Sequence, residues 1–408
     1  MHVDDTPEER AVRAEARAWL EANARPLDPA DLHLVRSHRS RTEDEDRALL
    51  AEARAWQRRK AEAGWAAPAW PVEHGGRGLP AVLASVFAAE EAGFDVVGRL
   101  FTVGVDMVGP TIMQWGTDEQ RTRYLPRILR ADDVWCQLFS EPGAGSDLAG
   151  LSTRAGRDGD EWVLTGQKVW TSGAHFSDLG LCLARTDPDV PKHRGITAFI
   201  VPMRSPGVDV RPLRQIDGAI HFNEVFLDEV RVPADAVLGP VGGGWGVALT
   251  MLANERASIG GGGMYGAEHA VELARAMGRN GDRVGRQRLA ELVTRDELLG
   301  YLGARARSAA ARGEAPGPES SVMKLAVSGF YERGGDLVVE VQGPAGMLAG
   351  DDAAYGGLFQ DHFLAQWAPR IGGGTDEVQR NVIGERVLGL PGEVRADKHV
   401  PFRDLPRS

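Results

Sequence analysis

The spacing of apolar and polar positions changes period twice along the 408 residues. Val12, Ala16, Trp19 and Leu20 fall at i, i+4, i+7 and i+8, one face of a helix that Pro26 stops. Leu49, Leu50, Ala53 and Trp56 mark a second helix, closed by Gly64. Val82, Val86, Phe87 and Glu90 open a third, ending near Gly93; Val105, Val108, Ile112 and Trp115 belong to a fourth, ended by Gly116. Thr117 and Gln120 have the spacing of a capping box. Between these segments, residues 28–46 form a charged connector without periodicity, and Pro68 to Pro80 is an irregular loop.

From Val134 the pattern becomes strand-like. Asp158-Gly159 is a hairpin turn between two strand candidates. Leu179 to Ala184, Ile196 to Val201, Val208 to Val210 and His221 to Val232 are further strands, separated by Pro, Gly and Asp. No helix alternates with them, which disfavours a Rossmann sheet. After the Gly239 to Gly244 linker the helical period returns, with helices expected near 245–278, 287–312, 319–342 and 376–388. The division is therefore a helical domain (1–133), a β domain (134–238) and a second helical domain (239–408). Arg312 to Glu319 is a loop between helices.

Charge and cysteine content narrow the function. A net charge of −11 supplies no basic face for nucleic acid. Cys136 and Cys182 have neither metal-ligand spacing nor the density of a disulfide framework. They read as buried small hydrophobes, and no metal is expected. No apolar run approaches the ~18–20 residues that span a bilayer. The amino end is charged and lacks the apolar core of a secretory signal, so a cytoplasmic location is expected.

The chemistry concentrates between Trp135 and Ser172. A short apolar strand ends at Glu141-Pro142, and the loop Gly143-Ala144-Gly145-Ser146-Asp147 follows. Pro142 stops the strand, and the glycines let backbone N–H groups come close to a ligand. Further on, Trp170-Thr171-Ser172 ends another strand with an aromatic plane and two hydroxyls. The set suits a flat cofactor with a phosphate tail; a pair of ordinary β-turns is the plainer alternative.

EPGAGSD after an apolar strand, with Trp-Thr-Ser in the next, resembles the FAD-binding signature of the acyl-CoA dehydrogenases. GWAAPAWPVEHGGRGLP (Gly64 to Pro80) and IGGGTDEVQRNVIGERVLGLP (Ile371 to Pro391) resemble the family's other signatures, in the family's order. The resemblance implies an α+β multidomain fold: an N-terminal helical domain, a middle β-barrel or sandwich, and a C-terminal four-helix bundle. It implies non-covalent FAD and oxidation of an acyl-CoA thioester to the trans-2-enoyl-CoA. A carboxylate would remove the α proton, and the flavin would accept the β hydride at N5. Electrons would pass to an electron-transferring flavoprotein. The chain would form a homodimer or homotetramer, or a hetero-oligomer as a partner subunit; a flavin monooxygenase on the same scaffold is the remaining alternative.

Residue by residue, the resemblance places Gln137, Phe139 and Ser140 along the flavin, and Gly145 and Ser146 at the pyrophosphate, with Ser146 also bordering the acyl-CoA. Trp170, Thr171 and Ser172 would face the isoalloxazine, and Thr375 and Glu377 the adenosine. Glu340 and Gly343 occupy the family's later adenosine-contact segment, where Glu340 replaces the usual Gln. The family's Arg-x-x-Phe-Gly is represented only by Arg275-Ala-Met-Gly-Arg. Both departures bear on contacts to a neighbouring subunit's FAD.

The usual base position is Gly373, which leaves only a backbone N–H for the thioester oxygen. The isovaleryl- and long-chain-type branch carries its base on an earlier helix, as the Glu of a Glu-Arg pair; Glu255-Arg256 matches it. Trp245, Leu252 and Ile259, seven apart, define an apolar stripe on which Glu255 lies, and desolvation there would raise its pKa. By pattern alone half of a structural ion pair is the commoner role for such a glutamate; the empty base position at Gly373 reverses the preference. Arg256 is either a substrate contact or a buried partner of a carboxylate. If the pocket has room, a Gly373→Glu change would restore a base to the C-terminal signature. The run Gly260 to Gly263 either breaks its helix or admits a close backbone approach.

Overall fold

The first helix, α1 (Pro7–Asn23), starts on a reciprocal capping box between Thr6 and Glu9, and buries Ala16 and Leu20 from the expected face. The computed structural model describes residues 5–27, 43–259, 266–312, 314, 317, 320–393 and 397–406. Gly260 to Gly263, residues 28–42 of the connector and most of the 312–319 loop lie outside these. Helix α2 (Glu43–Glu62) buries Ala53 and Trp56. The Pro68–Pro80 loop contains one short helical turn, Val72–His74.

Helix α3 spans Ala81–Glu91. The fourth expected helix is two pieces, a π-helical turn Val103–Val108 and α4 (Gly109–Trp115). Pro110 has no N–H to return to the preceding turn, and its ring crowds that turn's carbonyl; widening the spiral relieves both. Helix α5 (Asp118–Leu129) begins on the expected capping box, with Thr117 Oγ1 accepting from the Gln120 N–H at 3.2 Å.

The strands are β1 (Trp135–Leu138), β2 (Arg154–Asp158), β3 (Glu161–Ser172), β4 (Leu179–Arg185), β5 (Ile196–Pro202), β6 (Val208–Leu213), β7 (Phe222–Pro233) and β8 (Val237–Leu238). They form one sheet in the order β6-β7-β3-β2-β4-β5-β8, with β1 added parallel to β4. The Asp158-Gly159 hairpin forms as read, with Gly159 at φ 60°. Inward residues of β1, β3, β4, β5 and β7, among them Leu138, Leu164, Cys182, Phe199 and Val225, share one core. The sheet wraps around that core, which is where both cysteines lie.

The later helices are α6 (Gly244–Ile259), α7 (Ala267–Ala276), α8 (Arg283–Ala311), α9 (Ser320–Gln342), α10 (Leu358–Ala365), α11 (Ala368–Ile371) and α12 (Asp376–Val382). The single helix expected over 245–278 is thus α6 and α7. The short helices α10 and α11 were not expected. Phe359 and Leu337 are buried together with residues of α7 and α8, so α10 forms where packing rather than periodicity favours it.

The described chain falls into two compact units. One lies within Met1–Ser40, Leu79–Gly98 and Ile259–Gly392, the other within Arg41–Gly78, Arg99–Ser258 and Glu393–Ser408. The first holds α1, α3 and the helices from α7 on; the second holds the sheet with α2, α4, α5 and α6. The carboxy-terminal segment does not continue the helical unit: Pro401 forms a β-bridge to Pro191 in the sheet unit.

Candidate functional site

Strand β1 ends at Leu138, and the chain turns through Glu141 into the glycine loop. A buried ion pair holds the turn. Lys168 Nζ, on β3, lies 2.8 Å from Glu141 Oε1 and 3.0 Å from the Phe139 carbonyl. The same carboxylate accepts the Ser152 N–H at 2.7 Å, the Ser152 hydroxyl at 2.9 Å and the Thr153 N–H at 2.9 Å. Burial alone would raise the Glu141 pKa, but the Lys168 charge and these hydrogen bonds outweigh it and lower it to about 2. The loop from Pro142 to Leu151 is therefore pinned at both ends through one side chain. The sequence signal was present, an acid before Pro142 and a lysine at an inward β3 position, but nothing paired them.

Gly143 and Gly145 face open space: a Cβ on either meets nothing within 4 Å. Ser146 is exposed beside them. Across from the loop, the Val169 N–H donates to the Ser140 carbonyl at 2.9 Å. There β3 bulges against β7, the register slipping between Lys168 and Thr171. Trp170 sits in the bulge at φ 60°, a left-handed conformation costly for a bulky residue, with its indole 61% exposed. The bulge turns an aromatic plane outward. Next to it, Thr171 Oγ1 is buried with no hydrogen-bond partner, and Ser172 is half-buried. His175 Nδ1 lies 3.1 Å from Asn223 Oδ1, and Asn223 donates to the Thr171 carbonyl, so this pair, missed in the sequence, holds the strand end.

Open space at two glycines, an orphaned hydroxyl and an outward indole fit a planar cofactor with a phosphate tail. Gln137, Phe139, Ser140, Gly145, Ser146, Trp170, Thr171 and Ser172 all belong to this one unit.

Glu255 belongs to it too. The Gln137 side-chain amide donates to Glu255 Oε2 at 3.4 Å, which ties the candidate base to the strand that leads into the loop. The residue as a whole is half-buried, yet its carboxyl is desolvated, and burial raises its pKa; the Gln137 hydrogen bond and the Arg256 charge oppose this and lose. The stripe carrying it differs from the expected one. Over residues 244–256 of α6 the buried positions are Gly244, Val247, Ala248 and Met251, whereas Trp245 and Leu252 are only half-buried. Glu255 follows Met251 by one turn and continues the observed stripe. Arg256, half-buried, is its neighbour and moderates its charge.

The remaining predicted positions lie in the other unit. Thr375 caps α12, its Oγ1 accepting the Val378 N–H at 3.2 Å. Glu377 is exposed and 3.3 Å from Arg380. Trp367, Arg370, Ile371, Thr375, Asp376 and Glu377 line an open cavity of about 290 Å³. Its floor is braced by Asp376, which pairs with buried Lys324 and with Arg370 at 3.2 Å each. Glu340 forms an ion pair with Arg288, and Gly343, just after α9, takes φ 57°.

Gly373 takes φ 66°, and its carbonyl accepts from Gln379 Nε2 at 3.0 Å. The left-handed backbone adds a second condition on Gly373→Glu, beside room in the pocket. Any L side chain there is strained by about 1–2 kcal/mol. Gly373→Ala is expected to lower the melting temperature by a few degrees, and Gly373→Glu to do so at least as much. A Gly373→Ala protein that melts with the wild type would contradict the assigned backbone.

Three family models match: acyl-CoA dehydrogenase N-terminal domain over residues 6–132, middle domain over 136–230 and C-terminal domain over 242–388. The chain is 41% identical over 347 residues to acyl-CoA dehydrogenase IpdE1 of Mycobacterium tuberculosis, covering 83% of this chain and 88% of that one. It is 32% identical over 410 residues to acyl-CoA dehydrogenase FadE29 of the same organism, covering 96% and 99%. Among solved structures it resembles the Tcur3481-Tcur3483 steroid ACAD, with a TM-score of 0.82 and 32% identity over 96% of this chain and 100% of that one.

Proposed function

The chain belongs to the acyl-CoA dehydrogenase family, and from that premise we propose that it oxidises an acyl-CoA to the trans-2-enoyl-CoA with Glu255 as the α-proton base. The observation that carries this reading is the carboxyl of Glu255, desolvated by burial and hydrogen-bonded at 3.4 Å to Gln137, on the strand feeding the glycine loop. The family is FAD-dependent, and the open space at Gly143 and Gly145 with the exposed Trp170 fits that group. Bound there, FAD supplies the acceptor for the β hydride.

The chain's own residues do the rest. Gly143, Gly145 and Ser146 leave room and donors for the pyrophosphate; Trp170 and the Thr171 and Ser172 hydroxyls border the ring system. Gln137, Phe139 and Ser140 line its other edge. Glu255, held at a raised pKa, takes up the α proton more readily than an ordinary carboxylate would. The Gly373 N–H serves the thioester oxygen, Arg256 and Ser146 the acyl-CoA, and Thr375, Glu377, Glu340 and Gly343 the adenosine. The three-part division at 133 and 238 is retained as the family's domain plan.

The acyl group is a bulky, steroid-derived one. Support comes from the likeness to the Tcur3481-Tcur3483 steroid ACAD. The same structure, and the ChsE4-ChsE5 complex from Mycobacterium tuberculosis (29% identity, TM-score 0.77, covering 96% of this chain and 100% of that one), favour a hetero-oligomer with a second related chain over a homo-oligomer. Electrons leave to an electron-transferring flavoprotein.

The purified protein, alone or with its partner, is expected to be yellow and to release FAD on heating, identified by chromatography. Its flavin is expected to bleach anaerobically with steroid-side-chain CoA thioesters and more slowly with straight-chain ones. Release of FMN, or bleaching by NADPH but by no acyl-CoA, would displace this reading in favour of a monooxygenase.

A further inference from the structure

Residues 397–405 return to the turn between β4 and β5. The Phe402 N–H donates to the Val190 carbonyl and the Arg403 N–H to the Pro188 carbonyl, both at 3.0 Å, and Arg403 pairs with Asp189. The turn held in this way presents Lys192. Its Nζ lies 2.9 Å from Asp147 in the glycine loop and 2.7 Å from Asp397 in the tail. One ammonium thus joins the middle of the loop to the tail. The two carboxylates hold its pKa up against burial.

Arg185 makes a second connection. Its guanidinium edge donates to the carbonyls of Ala149 at 2.7 Å, Leu151 at 3.1 Å and Lys192 at 3.0 Å. Its face lies 3.4 Å from the centroid of Phe402. The group is buried enough that its pKa falls to about 10. Phe402 covers the cation that secures the loop's exit, where Glu141 also holds Ser152 and Thr153.

We propose that Asp397–Leu405 is a strap that fixes the Pro142–Leu151 loop in its cofactor-receiving conformation, with Lys192 as the positioning residue between them. The inference rests on the reading of this loop as the FAD phosphate site. Neither Lys192 nor the strap touches the opening over Gly143 and Gly145; both act through Asp147, Ala149 and Leu151. Removing the strap leaves the loop held by Glu141 and by an Arg185 open to water, without touching the sheet core.

The test uses the full chain in its native assembly. Phe402→Ala is expected to weaken FAD binding to the stripped protein about tenfold, the scale of a desolvated arginine–aromatic contact. Asp397→Asn is expected to weaken it about threefold, as for a partly exposed ion pair. The Asp397→Asn effect is expected to vanish in a Lys192→Met background, because the two act in series. Bleaching at saturating FAD stays near the wild-type rate, whereas a general packing defect would not recover. Hydrogen exchange of the 143–151 amides is expected to speed up in Phe402→Ala with or without flavin. Unchanged exchange there, unchanged FAD affinity, or full additivity of Asp397→Asn and Lys192→Met each overturns the strap. If the wild type binds no flavin, the cofactor reading fails and the positioning role falls with it, while the exchange result still decides whether the tail holds the loop.

Discussion

Glu255→Gln is expected to keep FAD and acyl-CoA binding while slowing flavin bleaching by at least ~10²-fold, the usual contribution of a positioned base. The substitution keeps shape and leaves Gln137 a partner 3.4 Å away, so the loss isolates proton abstraction from packing. The wild-type rate should also carry an acid limb. Burial raises the Glu255 pKa, so the fraction of unprotonated base grows as pH rises through a value above the ordinary carboxylate range. Stopped-flow bleaching across a pH series checks this. The limb should be missing in Glu255→Gln. Near-normal bleaching by that variant would move the base elsewhere and with it the whole assignment of α6.

Lys168→Met is the change with the largest expected cost to stability. It leaves the Glu141 carboxylate buried without its counter-charge, which costs about 3–5 kcal/mol. The melting temperature should fall sharply, and FAD should be lost, because the same carboxylate pins both ends of the glycine loop. Lys168→Met with Glu141→Gln should melt above Lys168→Met alone, since no unpaired charge remains. The acid behaviour follows from the same pair. Glu141 titrates near 4.5 unfolded and about 2 folded, so its stabilisation is complete above the unfolded value and is lost as pH falls toward about 2. Thermal melts between pH 5 and pH 2 should show that slope in the wild type and a shallower one in the double variant. Equal melting of wild type and Lys168→Met would mean that the pair is not buried as described.

Sequence alone reached the element types. Helical spacing at Val12, Ala16 and Leu20 and alternation along β3, β4 and β7 are local signals, set by which face each residue must bury. Caps and turns were legible for the same reason: Thr117 with Gln120, and Asp158-Gly159, act over three or four residues. The expectations for the cofactor loop and for Glu255 came from motifs whose residues are adjacent in the chain. Tertiary structure decided what depends on distant partners. Glu141 and Lys168 are 27 residues apart and meet because β3 passes beneath the loop. On α6 the buried positions Val247, Ala248 and Met251 differ from Trp245 and Leu252 of the expected stripe, because tertiary packing, not heptad spacing, selects the face. Trp170's outward turn needs a bulge that arises only when β3 pairs with β7. The left-handed backbone at Gly373 is invisible in a run of three glycines, any of which could adopt it. The return of the tail from Asp397 to Lys192 joins segments about two hundred residues apart, a contact for which no local pattern exists.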